Sequence, residues 1–431
     1  MEEKRFADYE VFPSVVKSGE MSEITIIPRG DHARFADGHA YIVKFIPMEA
    51  CNVKYELDRF EGNFETMEAK PAEGIISFAY RFIDEQEWSV TVQEKDDAQN
   101  KKVFHIYSLF PDLYGKKAFK GDLHVHSNRS DGNEEPGIVA ANYRKAGFDF
   151  MAITDHHRWY PSKEAIEKYK GADIDIKLFL GEEVHVPGNY IHMVNFGGSF
   201  SVNELYENNK AQIDEELQKE AERLSVPRGI NALEYAYRKW IVENIRKGDG
   251  LAILVHPYWK WCHEYNMQTQ MTEYMFETGC FDAFELLGGQ SSEENNMQTA
   301  LYCEQRAKGR KIPVVGSSDS HGTEPPVWFN CIKTILFSED LALDSICRNI
   351  KNLYSVAVGG AWPECFRVDG TFRMVKYAMF LMRNYFPRHD ELCIEEGILM
   401  KNYICGDEAA KKQLSVYSGR TRRFSEKFFG H

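Results

Sequence analysis

Long apolar runs are missing from this 431-residue chain. Stretches such as Leu251 to Val255 fall far below the ~18 residues a membrane span needs, so no membrane partner is expected. No apolar run follows the charged start MEEKRFADYE, which excludes a secretory signal from the expectations. The nine cysteines contain no C-x-x-C pair, which argues against a disulfide framework and a zinc ribbon and fits a reducing cytoplasm. Positive charge is also short: 52 basic against 66 acidic residues leave a formal charge of -14, which repels a phosphate backbone, so nucleic acid is not an expected partner. Repeats and low-complexity tracts are lacking. With 43% hydrophobic and 27% charged residues, the chain is globular, and its length implies roughly two to three domains.

Residues 1–118 contain short alternating runs (SEITIIP, AYIVKFIP, GIISFAYRFI, EWSVTVQ, KVFHIYSLF) separated by polar and Gly/Pro clusters, the pattern of antiparallel strands in a β-sandwich. The polar segment KDDAQNKK reads as a hairpin loop, and a boundary falls near residue 118. From Gly121, β-rich runs alternate with charged helical stretches, the signature of an α/β barrel or open sheet over residues 119–360. Residues 201–248 interrupt this alternation with two helical segments, readable as an ordinary excursion or as a lid. Residues 361–431 read as a helical C-terminal extension. In it FRMVKYAMFLMRNYF forms a helix packed on the barrel, and the basic run GRTRRFSEKF is a solvated end.

Chemistry concentrates in the middle. Nine of the fourteen histidines lie between His124 and His321. His124 and His126 are two apart, so on a strand they share a face and can hold one metal through imidazole nitrogens. Asp131 follows in the same motif, HVHSNRSDG. Thr154-Asp155-His156-His157 leaves the apolar run FDFMAI, Glu183 ends LFLGEEV, His192 lies in NYIHMVNF, and His256 ends LAILVHP. Asp319 and His321 in GSSDSHG are again two apart. Polar groups at so many buried strand ends would be costly without a shared purpose.

In combination these motifs resemble the PHP (polymerase and histidinol phosphatase) superfamily of metal-dependent phosphoesterases, over about residues 119–360. The resemblance implies a distorted seven-stranded (β/α) barrel holding two to three divalent transition metals. Mixed imidazole and carboxylate donors suit Mn, Zn or Fe. By resemblance, His124, His126, Glu183 and Asp319 bind one metal, Glu183 bridges to a second held by His192 and His256, and Asp131, His156 and His321 take a third. The family pattern G-x-E favours Glu183 over Glu182, and the setting of His192 favours it over His185.

Asp155, His157 and Arg158 are expected to serve catalysis by orienting ligands or meeting substrate, and Glu285 in FELLGG to orient a ligand. Arg129 and Lys260 are expected to bind phosphate, with Trp259, flanked by Tyr258 and Trp261, as an aromatic wall. The implied activity is hydrolysis of a small phosphorylated metabolite or nucleotide by a metal-activated water. Two alternatives stay open: a hydrolase of carboxyl esters or carbamates on the same site, and a non-catalytic binding module. The sandwich is expected to pack against the barrel or to build a homo-oligomer.

Overall fold

Strict alternation of apolar and polar residues shapes the amino-terminal strands. In a computed structural model, which describes residues 8–49, 54–56, 59–61, 64–97, 101–188, 191–360 and 367–431, strand Tyr41–Pro47 buries Tyr41, Val43 and Phe45 and leaves the residues between them half exposed. One sheet runs Tyr9–Phe12, Met21–Pro28, Ile76–Arg81, all antiparallel. A second runs Val15–Lys17, Lys101–Leu109, Gln86–Glu94, Tyr41–Pro47, Thr66–Ala69, with its first pair parallel. Their inner faces share one core that includes Ile24, Ile26, Val43, Phe45, Phe78, Val90 and Ile106. The buried indole of Trp88 keeps its polar atom satisfied by donating Nε1–H to Ser108 Oγ at 3.0 Å. Part of the expected hairpin loop, residues 98–100, lies outside the described residues.

These strands form a compact unit composed of Met1–Lys117, Phe380–His389 and Arg420–His431. The basic tail is therefore not a solvated end. Helix Arg420–Phe429 buries Thr421, Phe424, Ser425, Phe428 and Phe429 while Arg422, Arg423 and Lys427 face outward. Spacings of three and four place the buried residues on one stripe, so charge and burial coexist in one short amphipathic helix. Phe424 packs edge-on to Phe12 and stacks with Tyr385.

The second unit comprises Ala118–Met379 and Asp390–Gly419. One sheet orders Lys177–Phe179, Phe150–Ala152, Lys117–Asp122, Ile332–Ser338, Ser355–Gly359, Arg367–Asp369; another orders Gly181–Val184, Met193–Phe196, Leu251–Leu254, Ala283–Leu287, Val314–Gly316. Parallel pairs join the first three strands of one and the last three of the other. The remaining pairs described are antiparallel, unlike a uniform (β/α) ring. For Gly181–Val184 and Met193–Phe196 the cause is local: the link from Val184 to Met193 is shorter than the dozen or so residues a parallel crossover requires, so the chain returns antiparallel.

Helices Val202–Arg223 and Ala232–Lys247 pack apolar faces, through Tyr206, Ile213, Leu217, Ile241 and Ile245, into a core with Met193 and Leu254. They form an ordinary covering layer of the sheet. Arg144, fully buried on helix Pro136–Lys145, donates Nε–H to Glu396 of the carboxy-terminal segment at 2.8 Å, fixing helix Phe386–Ile404 by a paired charge. No described helix is long and apolar enough to cross a membrane.

Candidate metal centre

Period-two alternation at strand ends assembles the site. Leu123 and Val125 point into the core, so His124 and His126 point together the other way; all four are essentially fully buried. Val125 is held by a parallel bridge to Ser320 and by the Thr154 hydroxyl, which accepts its N–H at 3.0 Å. The same alternation separates two adjacent glutamates. Glu182 turns away and accepts from Ser201 Oγ, Asn203 Nδ2, Asn195 Nδ2 and the Val202 N–H at 2.6–3.1 Å. Glu183 turns into the histidine cluster.

Glu183 is the hub. Its Oε1 lies 2.8 Å from His192 Nδ1 and 3.3 Å from His256 Nε2, and its Oε2 lies 2.6 Å from His156 Nδ1 and 3.4 Å from His185 Nε2. His124 Nε2 and His126 Nε2 stand 3.5 and 3.6 Å from Glu183 Oε2, and 3.3 and 2.9 Å from Asp319 Oδ1. A third group gathers on Asp131, whose Oδ2 lies 3.4 Å from His156 Nε2 and 3.2 Å from His321 Nε2. The first two groups are sealed and the third is open: the side chains of His124, His126 and Glu183 are inaccessible, whereas Asp131 is 55% and His156 24% exposed.

These donor sets fit divalent cations. Buried and without hydrogen-bond partners are His124 Nε2, His126 Nε2, Glu183 Oε2 and Asp319 Oδ1, a costly state unless another atom satisfies them. Their mutual spacings of 2.9–3.6 Å bracket the roughly 3.0–3.4 Å that donors about 2.1 Å from one cation would show. Four sets of three or four donors, each set within 4.8 Å, cover all nine expected ligands: His126, Asp131, His156, His321; His156, Glu183, His185, His192; His124, His126, Asp319; and His124, Glu183, His256. His192 and His256 fall in different sets, and His185 joins that of His192.

Electrostatics follow from this crowding. Burial alone would raise Glu183, but His156, His192 and His124 hold it well below the usual carboxylate range. Burial opposes protonation of His124, yet Asp319, Glu183 and Glu285 raise it well above the usual imidazole value. His126 is pushed down to about 3 by burial and by neighbouring His156, which leaves it neutral and able to donate a lone pair.

Supporting residues orient the donors. Glu285 Oε2 accepts from His124 Nδ1 at 3.0 Å, which leaves Nε2 to face the cluster. Gln290 Nε2 donates to Asp319 Oδ2 at 3.1 Å; nothing in LLGGQ signals this role, because it depends on a loop conformation. Asp319 and His256 adopt left-handed backbone, with φ of 50° and 25°, a strain that concentrates at functional positions. Gly132 closes the turn beneath His126: a Cβ there would sit 2.7 Å from the His126 carbonyl oxygen.

Asp155 is fully buried and accepts from the Ser127 N–H at 2.8 Å and from the hydroxyls of Ser127 and Ser130 at 2.5 Å. Its contacts make it a positioning residue for the Ser127–Asp131 turn. His157 is exposed, its ring 4.5 Å from that of His185. Arg158 is exposed and donates to the Arg129 carbonyl. Arg129 is held by Glu164 in a two-pronged pair at 2.7 and 2.9 Å, and Lys260 pairs with Glu293 at 3.0 Å. Trp259 lies 5.5 and 5.8 Å from the rings of His192 and His256 and so lines the cluster. Tyr258 is buried in the adjoining core. The side chain of Trp261 lies outside the described residues.

Residues 122–277 match the PHP domain. No curated protein shows significant similarity to the chain. Among solved structures, similarity is found to a two-domain protein containing a predicted PHP-like metal-dependent phosphoesterase from Bacteroides vulgatus (17% identity, 58% of this chain and 68% of that one, TM-score 0.42). It is also found to an amidohydrolase from Chromobacterium violaceum with bound sulfate and no metal (18% identity, 48% and 89%, TM-score 0.33).

Proposed function

From a PHP domain at residues 122–277, we propose that this protein is a metal-dependent phosphoesterase acting on a small phosphorylated metabolite or nucleotide. One observation carries the reading: the donor atoms of nine histidines and carboxylates form a continuous cluster that runs from sealed at His124 and Glu183 to solvent-facing at Asp131. In this reading His124, His126, Glu183 and Asp319 hold one cation, Glu183, His192 and His256 a second, and Asp131, His156 and His321 a third at the mouth. When bound, such cations supply Lewis acidity and a water acidic enough to react near neutral pH.

The chain's own groups do the rest. Glu285 and Gln290 fix the donor faces of His124 and Asp319, so little reorganisation is needed when charge builds on substrate. Asp155 anchors the turn that carries Asp131. Arg158, exposed and in no ion pair among the described residues, is the cation nearest in sequence to His156 and is assigned to phosphate. The same reading takes residues 119–360 as a distorted (β/α)7 barrel and places the protein in the cytoplasm.

A second reading draws on a specific observation. Arg129 and Lys260 are already neutralised by Glu164 and Glu293, which reduces the positive charge offered to a phosphate and favours a neutral carboxyl ester or carbamate. A screen of metal-replete protein against p-nitrophenyl phosphate, a phosphodiester, nucleotides and aryl esters decides between them. Phosphatase activity that inorganic phosphate inhibits is expected. Rapid ester or carbamate hydrolysis with all phosphate esters untouched would replace the first reading by the second.

A further inference from the structure

Two pairs of expected ligands share one spacing: His124 with His126, and Asp319 with His321. Glu183 and His185 form a third pair of the same kind. At a strand end, residues two apart leave on the same side. The structure shows this for Glu183 and His185, since Glu182 turns to Ser201 and Asn203 and Val184 enters the apolar core. The His185 backbone is fixed by its N–H, which donates to Asn203 Oδ1 at 3.0 Å. Its side chain is therefore delivered to the cluster by the same device that delivers the expected ligands.

The surroundings of His185 are those of a ligand rather than of a core histidine. Its Nε2 is 3.4 Å from Glu183 Oε2 and 2.8 Å from His156 Nδ1. Its ring lies 4.1, 4.5 and 4.7 Å from the rings of His192, His157 and His156. The donor atoms of His156, Glu183, His185 and His192 all lie within 4.8 Å of one another, close enough for one cation to gather them. His156 directs Nε2 to the Asp131 and His321 group, while its Nδ1 lies 2.6 Å from Glu183 Oε2. His185 Nε2 and His192 Nδ1 approach the two oxygens of the same Glu183 carboxylate, at 3.4 and 2.8 Å. His256 Nε2 lies 3.3 Å from Glu183 Oε1, the oxygen that His192 Nδ1 approaches.

We propose that His185 is a tenth metal ligand, completing with Glu183 and His192 the binding site of one cation in the cluster. The assignment rests on the metal-dependent reading above, and its consequence is a cation position with more imidazole character, which favours Zn over Mn at that position.

Equilibrium binding of Zn(II) and Co(II) to the full, chelator-stripped chain, read by competition with a chromophoric chelator, tests this without any substrate. His185→Ala is expected to lose one equivalent or to weaken one binding step by more than the roughly 10- to 100-fold that loss of a group behind a ligand costs. The other steps, and the thermal midpoint of the stripped chain, should stay unchanged. The visible spectrum of the Co(II) form should lose intensity. His185→Gln, close to His in size, guards against a folding defect and should show the same loss. Equal stoichiometry and affinities within about twofold in a folded variant would overturn the assignment, as would a wild-type chain that binds no cation. A wild type that hydrolyses no phosphate ester while the variant still loses its cation overturns the activity and leaves the ligand standing. Full phosphatase activity with unchanged metal binding in the variant does the reverse.

Discussion

The two compact units bury polarity in opposite ways. In the amino-terminal unit the shared core is apolar and aromatic, and the polar atoms that enter it are closed locally, as when Ser108 accepts from Trp88 and donates to the Asp84 carbonyl at 2.6 Å. In the other unit, imidazoles and carboxylates of His124, His126, Glu183 and Asp319 are buried with atoms that no protein group satisfies. A core can be built from the chain alone, whereas a buried polar cluster of this kind is completed by a cation on which its donors converge.

The largest expected effect breaks this contrast at its root. Stripping cations with a chelator should abolish hydrolysis and loosen one unit selectively: hydrogen exchange should rise in Gly181–Val184 and its neighbours and stay unchanged in Gln86–Glu94. A cation held at 100 times its Kd contributes about 2.7 kcal/mol, so the thermal midpoint of that unit should fall visibly. Uniform exchange in both units would show that the cluster does not depend on a cation.

Next comes a comparison of adjacent residues. Glu183→Gln should lose metal, measured by elemental analysis, and roughly 100-fold or more in turnover. Glu182→Gln should keep its metal but lose about 1–3 kcal/mol of stability, because an amide nitrogen replaces an acceptor that faces four donors. Equal metal loss in both would mean that strand alternation does not separate their roles.

A smaller effect concerns a buried lysine that is not among the cluster's donors. Lys333 is pushed down to about 7 by burial and by Lys120, and its Nζ donates to the carbonyl and side chain of Asn330. Asp390, Cys331 and Asp122 oppose the shift. Between about pH 7 and 10 the unfolded chain holds a proton that the folded one has released, so this residue makes stability rise with pH, by at most about 1.4 kcal/mol per unit. Lys333→Met should flatten that rise in denaturant titrations. The smallest effect is expected from Arg129→Ala, which breaks a part-exposed pair with Glu164 and should cost about 0.2–1 kcal/mol. Inhibition by phosphate should be unaltered in that variant, since the guanidinium is already occupied.

One donor pair was readable from geometry, since residues two apart on a strand share a face: His124 with His126 needed no tertiary information. The rest of the expected set came from the family resemblance, and the left-handed backbone at Asp319 sends Asp319 and His321 to different donor groups. Strand pairing was less readable. A run such as YIHMVNF does not reveal whether its neighbour is parallel, and only the short link after Val184 settles it. Arg129 and Lys260 looked available because their partners, Glu164 and Glu293, lie 35 and 33 residues away in sequence. Gln290 was invisible, since a loop glutamine carries no periodicity. The tail's charges concealed its buried stripe because Phe424, Phe428 and Phe429 alternate with Arg and Lys at helical spacing.

That tail has a consequence for biosynthesis. The amino-terminal unit draws Phe380–His389 and Arg420–His431 from the far end of the chain, and Phe12 packs against Phe424. Domains usually fold in the order in which the ribosome releases them. Here the first strands to emerge must wait for residues about 400 positions later before their unit can close. Shortening the chain by its final helix should therefore leave the sandwich, not the metal cluster, dependent on chaperones.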